Sequence, residues 1–200
     1  MEEKLAFLDE HYLSHFDYLD VDSVIQEQKA FGACRDVTLE YPVAENEGEE
    51  DNTYLSYNMV VGNAADSQMA MAFEVLDYAL LSAPGAPLKQ ALLDVKAGKD
   101  VYGSYDDGIL QPYFDSNCKG SNPDRKEEFV SVIRQVLGDI VKNGIDKKAV
   151  EAGINYFEFR YREADFSSYP KGLMYSLDIL GDWLYEKWKS LCTGTAAYSF

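Results

Sequence analysis

The stretch SAPGAPLKQALLDVKAGKDVYGSYDDGILQPYF, residues 82–114, decides the fold because it joins the two halves of the chain through an elbow, a helix and extended chain. Pro84 removes a backbone donor and Gly85 supplies a permissive backbone, so the preceding helix must end there. Pro87 suits the first position of the next helix, and Gly98 lies where a C-terminal cap is expected. The elbow therefore predicts one helix on each side of it.

The second half of this stretch, VYGSYDDGILQPYF, is predicted to be extended because it is rich in aromatic residues. It is interrupted at Asp106-Asp107-Gly108, residues that favour a turn. Two neighbouring carboxylates also suggest a two-carboxylate hydrolase, but neighbours on a strand point to opposite faces and cannot both reach one bond. The pattern therefore predicts a turn between two strands.

Two further strands are predicted before the elbow. Residues 37, 39, 41 and 43 of CRDVTLEYPV are apolar in alternation, which is typical of a half-buried strand, and TYLSYNMVVG is rich in β-formers. The acidic run AENEGEED, residues 44–51, is interpreted as a solvated hairpin loop between them. A calcium loop is the alternative, but the DxDxDG spacing with a distal glutamate is missing. A helix capped near Asp66 follows over residues 66–83.

Helical periodicity returns after residue 122 and predicts three more helices. The first opens near Pro123 and closes at Asn143-Gly144, and the second is capped by Asp146. The second carries an aromatic stripe with interleaved arginines, interpreted as packing on a sheet with the guanidinium groups paired to acidic neighbours: Tyr156, Phe157, Phe159, Tyr161, Arg160 and Arg162. The last begins after Tyr169-Pro170 and is predicted to bury Leu173, Leu177, Leu180, Trp183 and Leu184.

The order of these elements predicts an α+β fold, a mostly antiparallel sheet with helices packed on one face, because the strands come in pairs and the helices in blocks. Residues 1–36 are assigned to a connecting arm at the end of a preceding domain. Residues 37–188 are assigned to the main domain and residues 189–200 to an irregular tail. The tail loses the helical period and is predicted to be mobile.

A family resemblance rests on the long helix, the PGAPL elbow, the second helix and the Gly/Tyr-rich strand. Together they resemble the non-catalytic domain that follows the catalytic domain in presequence-protease-like zinc metallopeptidases of the pitrilysin/insulinase family. The resemblance continues through GIDKKAVEAGINYFEFRYREADFSSYPKGLMYSL and reaches over residues 41–185. It implies the family's α/β roll, as the second domain of the first half of a four-domain chain. The motifs that carry it are structural and supply no chemistry.

The resemblance implies zinc-dependent hydrolysis of short unfolded peptides inside a chamber, with zinc held in the family's catalytic domain by HxxEH and a distal glutamate. Here HYLSH places His11 and His15 four residues apart on a predicted amphipathic helix or series of helical turns, a spacing that suits two zinc ligands. Ser14, however, occupies the place of the activating glutamate, and no third ligand follows. The pair is interpreted as two histidines on a partly exposed helix. We therefore assign no catalytic, cofactor-binding or metal-binding residue to this chain.

Composition narrows the class of partner. The formal net charge of −17 repels a phosphate backbone and an anionic membrane, which argues against nucleic-acid and membrane partners. The acidic N-terminus lacks the pattern of a signal peptide, so a cytoplasmic protein is expected. Three well-separated cysteines, Cys34, Cys118 and Cys192, argue against a disulfide framework.

Two functions from different classes follow. The first is a non-catalytic domain that encloses unfolded peptide substrates and is inactive alone, with the catalytic domain and the second half of a peptidase as partners. The second is a stand-alone module that binds extended peptides by strand addition at an exposed sheet edge. An acidic surface would attract basic peptides, although acidic surfaces also serve solubility. A domain of the first kind is expected to keep an apolar docking patch and to self-associate.

Overall fold

A computed structural model describes residues 1–46, 48–163 and 168–185 of the chain. Short helical turns occur at Leu13–His15 and Pro123–Arg125, and a π-helical turn occurs at Tyr78–Ser82. The main elements are α1 (Glu2–His11), β1 (Thr53–Val60), α2 (Ser67–Asp77), α3 (Pro87–Asp94), β2 (Asp100–Asp106), β3 (Tyr113–Ser121), α4 (Lys126–Asn143), α5 (Lys147–Glu163) and α6 (Lys171–Leu184).

The three strands form one antiparallel sheet in the order β1-β3-β2, so β3 is central. Cys118 of β3 pairs with Leu55 of β1 on one side and with Val101 of β2 on the other. All three side chains are buried on the same face of the sheet, where α2, α3 and α4 cover them. This confirms the predicted α+β fold with an antiparallel sheet and helices on one face.

The core lies between that face and the helices. Its members are apolar residues from the sheet, the π-helical turn, α3 and α4, and their burial supplies the main driving force for folding. The fully or nearly fully buried residues are Leu55, Leu80, Leu81, Leu88, Leu92, Ala97, Val101, Phe114, Cys118, Phe129 and Ile133.

The elbow forms as predicted. The Asp66 side chain caps α2 by accepting a hydrogen bond from the backbone N–H of Met69 at 2.9 Å. The helix then widens into the π-helical turn and stops at Ala83, directly before Pro84. Pro87 begins α3. The sequence between these two helices therefore bends the chain where proline and glycine require it.

Gly98 has a different role from the predicted cap. Helix α3 already ends at Asp94, and the backbone turns at Lys96, which adopts a φ of 53°. A Cβ atom on Gly98 would instead overlap the Cys118 sulfur and the Lys119 carbonyl. The glycine therefore allows the chain to approach β3 closely.

The strand predicted over residues 37–43 is wrong. These residues form no strand, and Val37 and Leu39 are 70% and 84% exposed. Tyr41 keeps a ring contact with Tyr54 of β1 at 5.7 Å between centroids, but the segment makes no backbone hydrogen bonds to the described strands, so it packs at single residues and not as a strand. The acidic run is consequently not a hairpin loop, because its described residues form turns that lead into β1.

Three aromatic residues of α5, Tyr156, Phe157 and Tyr161, pack on α2 and the π-helical turn and not on the sheet as predicted, whereas Phe159 is exposed. The Tyr156 ring stacks on Tyr78 with 5.1 Å between centroids, and Gly153 lies against Val75. The predicted ion pairing occurs for Arg162, which contacts Glu158 at 2.5 Å. Since α2, α3 and α4 already fill the inner face of the sheet, α5 forms a second helical layer.

Two amphipathic helices leave their apolar residues exposed. In α1, which ends at His11, no residue is buried. In α6 the predicted helix is confirmed, but the predicted burial is wrong: Leu173, Leu177, Leu180, Trp183 and Leu184 are all at least half exposed. The predicted irregular tail, residues 189–200, lies outside the described residues.

Among the described residues, none of the helices combines the length and the hydropathy that a transmembrane span requires.

Candidate functional site: the open face of the sheet

The face of the sheet opposite the helices is polar and open. Because side chains alternate along a strand, the residues between the core positions of β1, β2 and β3 all project from this second face. The open face consists of Tyr54, Ser56, Asn58, Val60, Asp100, Tyr102, Ser104, Asp106, Tyr113, Asp115, Asn117 and Lys119. Of these, Asp115 is the only one classed as buried, with 8% of its surface exposed.

Asp115 organises the centre of the open face. It lies between Asn58 of β1 and Ser104 of β2 in the register of the sheet. Its carboxylate accepts hydrogen bonds from the Ser104 backbone N–H at 2.9 Å and the Ser104 hydroxyl at 3.0 Å. It also accepts one from the Asn117 side-chain amide at 2.7 Å. Three donors therefore fix a nearly buried carboxylate, and charge-assisted hydrogen bonds of this kind are strong.

A second carboxylate closes one end of the face. The Tyr113 hydroxyl donates to Asp106 at 3.2 Å, and the Gly108 N–H donates to the same side chain at 2.9 Å. The hydrogen bond to Asp106 raises the pKa of Tyr113, because the carboxylate stabilises the neutral phenol. Asp106 is thus a turn-forming residue that also orients Tyr113.

At the other end, Lys119 and Tyr54 supply a cation and an exposed aromatic ring. The Lys119 ammonium group lies over the Tyr54 ring at 5.7 Å from its centroid. Between the two ends, Ser56 and Asn58 are joined by a hydrogen bond of 2.9 Å. The face therefore presents amides, hydroxyls, phenols and carboxylates, groups that can hydrogen-bond a polypeptide. It does not combine an activated nucleophile with a general base.

The His11/His15 pair does not lie on one regular helix. Helix α1 ends at His11, Tyr12 departs from helical geometry with φ −133°, and His15 closes a separate 3-10 turn. Both side chains are exposed. No group of three or more His, Cys, Asp or Glu side chains within the described ranges is arranged to hold a metal ion. The donor set described here therefore does not fit a zinc site.

One buried carboxylate, that of Asp77, lacks a full set of hydrogen-bond partners in the described structure. Asp77, at the end of α2, accepts a hydrogen bond from the Ser82 hydroxyl at 3.3 Å, while its other oxygen is buried without a hydrogen-bond partner in the described structure. Burial, opposed by this hydrogen bond and assisted by the charge of Asp115, raises the pKa of Asp77 to about 6. Perturbed carboxyl groups can indicate function, but this one faces no second catalytic group, so we interpret it as a structural liability.

No site residue was predicted from the sequence, and the open face was not predicted either. The available signal was the polar half of each strand pattern: Ser56 and Asn58 in TYLSYNMV, and Asp115 and Asn117 in YFDSNCKGS. The alternation of each strand locates its buried residues, but within one strand it gives no reason to assign a role to the polar residues between them. Only the pairing of β3 between β1 and β2 brings them together.

Comparison with known proteins agrees with this geometry. The model of the peptidase M16 inactive domain matches residues 4–157, more than half of the chain. The chain belongs to the peptidase M16 family. Within that family of zinc peptidases it corresponds to the inactive type of domain, as the resemblance in the sequence implied.

Curated relatives of this M16 domain are much longer proteins. Protein HypA of Clostridium perfringens (strain 13 / Type A) is 42% identical over 185 residues, covering 92% of this chain and 19% of HypA. Presequence protease 1, chloroplastic/mitochondrial, of Arabidopsis thaliana is 29% identical over 180 residues, covering 85% of this chain and 17% of that protein. The chain thus spans less than a fifth of the length of the curated relatives it matches.

Solved structures support the fold. The inactive peptidase domain of a Bordetella parapertussis protein described as a zinc protease superposes with a TM-score of 0.53, covering 67% of this chain and 76% of that one. A related protein from Bordetella pertussis Tohama I gives 0.51, covering 64% and 71%. At 11% and 14% identity these likenesses show the shared M16 fold alone.

Proposed function

We propose that this M16 domain is a non-catalytic wall of the substrate chamber in a larger zinc peptidase, where its open face contacts short unfolded peptides. The observation that carries the proposal is the open face itself. Eleven of its twelve residues carry side-chain groups that can hydrogen-bond, and the helices leave this face uncovered. A wall of this kind suits substrates that are recognised through their backbone rather than through one side chain.

Charge supports a preference among peptides. The chain carries a net charge of −17, and Asp100, Asp106 and Asp115 lie on the open face against the single cation Lys119. A negative surface raises the local concentration of positively charged ligands. Basic unfolded peptides are therefore the proposed substrate class, bound more weakly as salt concentration rises.

The apolar side of α6 supports docking to neighbouring peptidase domains. At about 100° per residue, Leu173, Leu177, Leu180 and Leu184 form one row along the helix, and Ile179 and Trp183 form an adjacent row. All six side chains are at least 40% exposed. A helix that is apolar over nearly half of its circumference is normally covered by another element. Since the relatives are about five times longer than this chain, we assign the cover to another domain of the same polypeptide.

Peptide binding by matched variants tests the wall proposal. Tyr102 on the open face and Phe159 on the outside of α5 are both exposed aromatic residues. Tyr102→Ala should weaken the binding of an unstructured basic peptide, measured by fluorescence anisotropy, by at least about fivefold, which is within the range for an exposed aromatic contact. Phe159→Ala should leave binding unchanged. Equal effects of the two substitutions would contradict the proposal.

Strand addition at the edge of β1 is a second candidate, supported by the hydrogen-bond pattern of that strand. The Val61 N–H donates to the Pro112 carbonyl at 2.8 Å, in register with the β1–β3 pairs. Alternation then directs the backbone groups of Ser56, Asn58 and Val60 away from β3, towards the outer edge. These groups can pair with an extended peptide. Methylation of alternate backbone nitrogens of the peptide should abolish this mode, whereas Tyr102→Ala on β2, at the opposite edge of the sheet, should leave it unchanged.

A further inference from the structure

The segment of residues 27–36, called the strap below, follows β1 in the opposite direction. At the end of β1, the Asn63 side-chain amide donates to Glu27 at 2.7 Å. At the start of α4, which adjoins the start of β1, Lys126 forms an ion pair with Asp36. The strap therefore begins beside the end of β1 and finishes beside its start.

Strand order leaves the outer side of β1 unpaired. β3 pairs with one side of β1, and no strand within the described residues pairs with the opposite side. The strap's nine residues from 28 to 36, which bend at Gly32 and Ala33, are enough to span the eight-residue strand.

Gln111 holds the strap by its backbone. Its side-chain oxygen accepts from the Gln28 N–H at 2.6 Å, and its side-chain nitrogen donates to the Gln28 carbonyl at 3.1 Å. A side-chain amide that bonds both groups of one residue imitates a neighbouring strand. This paired contact therefore fixes Gln28, at the start of the strap, beside the end of β1.

The strap is nevertheless loosely held. Every residue from 27 to 36 is exposed, and its largest apolar side chain, Phe31, is 49% exposed. No hydrogen bond joins a backbone group of the strap to a backbone group of β1. A segment that is held by exposed polar contacts and has no fully buried apolar side chain belongs to the least stable parts of a fold.

We propose that the strap is a releasable cover of the β1 edge: docked, it blocks the backbone groups of Ser56, Asn58 and Val60, and released, it opens that edge to an extended peptide. The proposal rests on the strand-addition mode described above and adds its control. An uncovered edge strand is also a site for unwanted pairing between copies of a chain, so a cover has a protective value of its own.

A spin label on Cys34 tests the docked state in the full chain. With Cys192→Ser in the background and Cys118 buried, a nitroxide on Cys34 should broaden the NMR signals of the β1 amides of residues 56, 58 and 60. Gln111→Leu removes both bonds to Gln28 and should restore these signals by at least about twofold, as expected for local release. Gln135→Leu, an exposed substitution on α4, is the control and should restore nothing.

The results separate the two proposals. Absence of broadening in the parent chain, or equal broadening in the parent and the Gln111→Leu variant, would overturn the strap proposal. An extended peptide added to the labelled parent chain should also restore the signals by displacing the strap. If Gln111→Leu releases the strap but no peptide binds to the opened β1 edge, the cover stands and the strand-addition mode fails.

Discussion

Replacing Asp77 with asparagine should stabilise the fold, because the buried carboxylate is held with one oxygen unpaired. Its pKa is raised from 3.8 to about 6, mainly by burial. Each pKa unit corresponds to about 1.4 kcal/mol, so the charged form costs at most about 3 kcal/mol at neutral pH. The side chain is partly solvated, which screens its charge, and the new amide gains a donor that also needs a partner. We therefore expect Asp77→Asn to raise the free energy of unfolding by about 1 kcal/mol at pH 7.

The sign of the pH dependence follows from the direction of the shift. The folded state binds the Asp77 proton more tightly than the unfolded state, so this group destabilises the fold as pH rises from about 4 to 6 and has a constant effect above that range. The advantage of Asp77→Asn should fall to about half at pH 5. Urea unfolding at pH 5 and pH 8 measures it. Asp139→Asn, exposed on α4, controls for the change in net charge.

Two results would contradict a destabilising effect of the buried Asp77 carboxylate. If Asp77→Asn and Asp139→Asn stabilise equally, the effect is relief of the overall negative charge and not of a buried carboxylate. If the advantage of Asp77→Asn grows as pH falls, the carboxylate is stabilising in the folded state. A pKa for Asp77 below 4, measured by NMR titration, would agree with the second result.

Three further predictions concern packing, docking and metal. Gly103→Ala should destabilise the fold by about 2–3 kcal/mol in urea unfolding, because the new Cβ overlaps Leu81 and the Asp115 carbonyl. The control Gly138→Ala, which has open space around it on α4, should stabilise the fold, and equal effects would contradict the packing described. Light scattering should show self-association of the chain through α6, and Leu177→Gln combined with Leu180→Gln should reduce it more than the control Val141→Gln on α4. A monomeric parent chain would contradict the docking assignment. The purified chain should hold no stoichiometric zinc by elemental analysis and cleave no unstructured peptide, and turnover sensitive to a chelator would contradict its non-catalytic assignment.

Local rules predicted the elements whose ends are set by single residues. Pro84 stops the helix before the elbow, Pro87 starts α3, and Asp66 caps α2, because each acts through its own backbone or side chain. Gly144 likewise ends α4 with a φ of 86°. These features depend on few neighbours, so the sequence is enough to find them.

Features that depend on distant partners were missed. The alternation of residues 37–43 is the same as in a true strand, but a strand also needs backbone hydrogen bonds to a neighbour, and these residues make none with β1, β2 or β3. Gly98 looked like a helix cap, although its role comes from Cys118, twenty residues later. Asp115 became part of a site only when β3 lay between β1 and β2. Pairing and layering of this kind cannot be read from one segment alone.

Contact between unfolded peptides and the open face of the sheet can be observed by NMR chemical-shift mapping. The isotope-labelled chain is titrated with an unstructured basic peptide. Binding at the open face should shift the amides of Ser56, Asn58, Tyr102, Ser104 and Asn117, without shifts along α5. Shifts confined to the helical side, or no shift at peptide concentrations that occupy the protein, would contradict it.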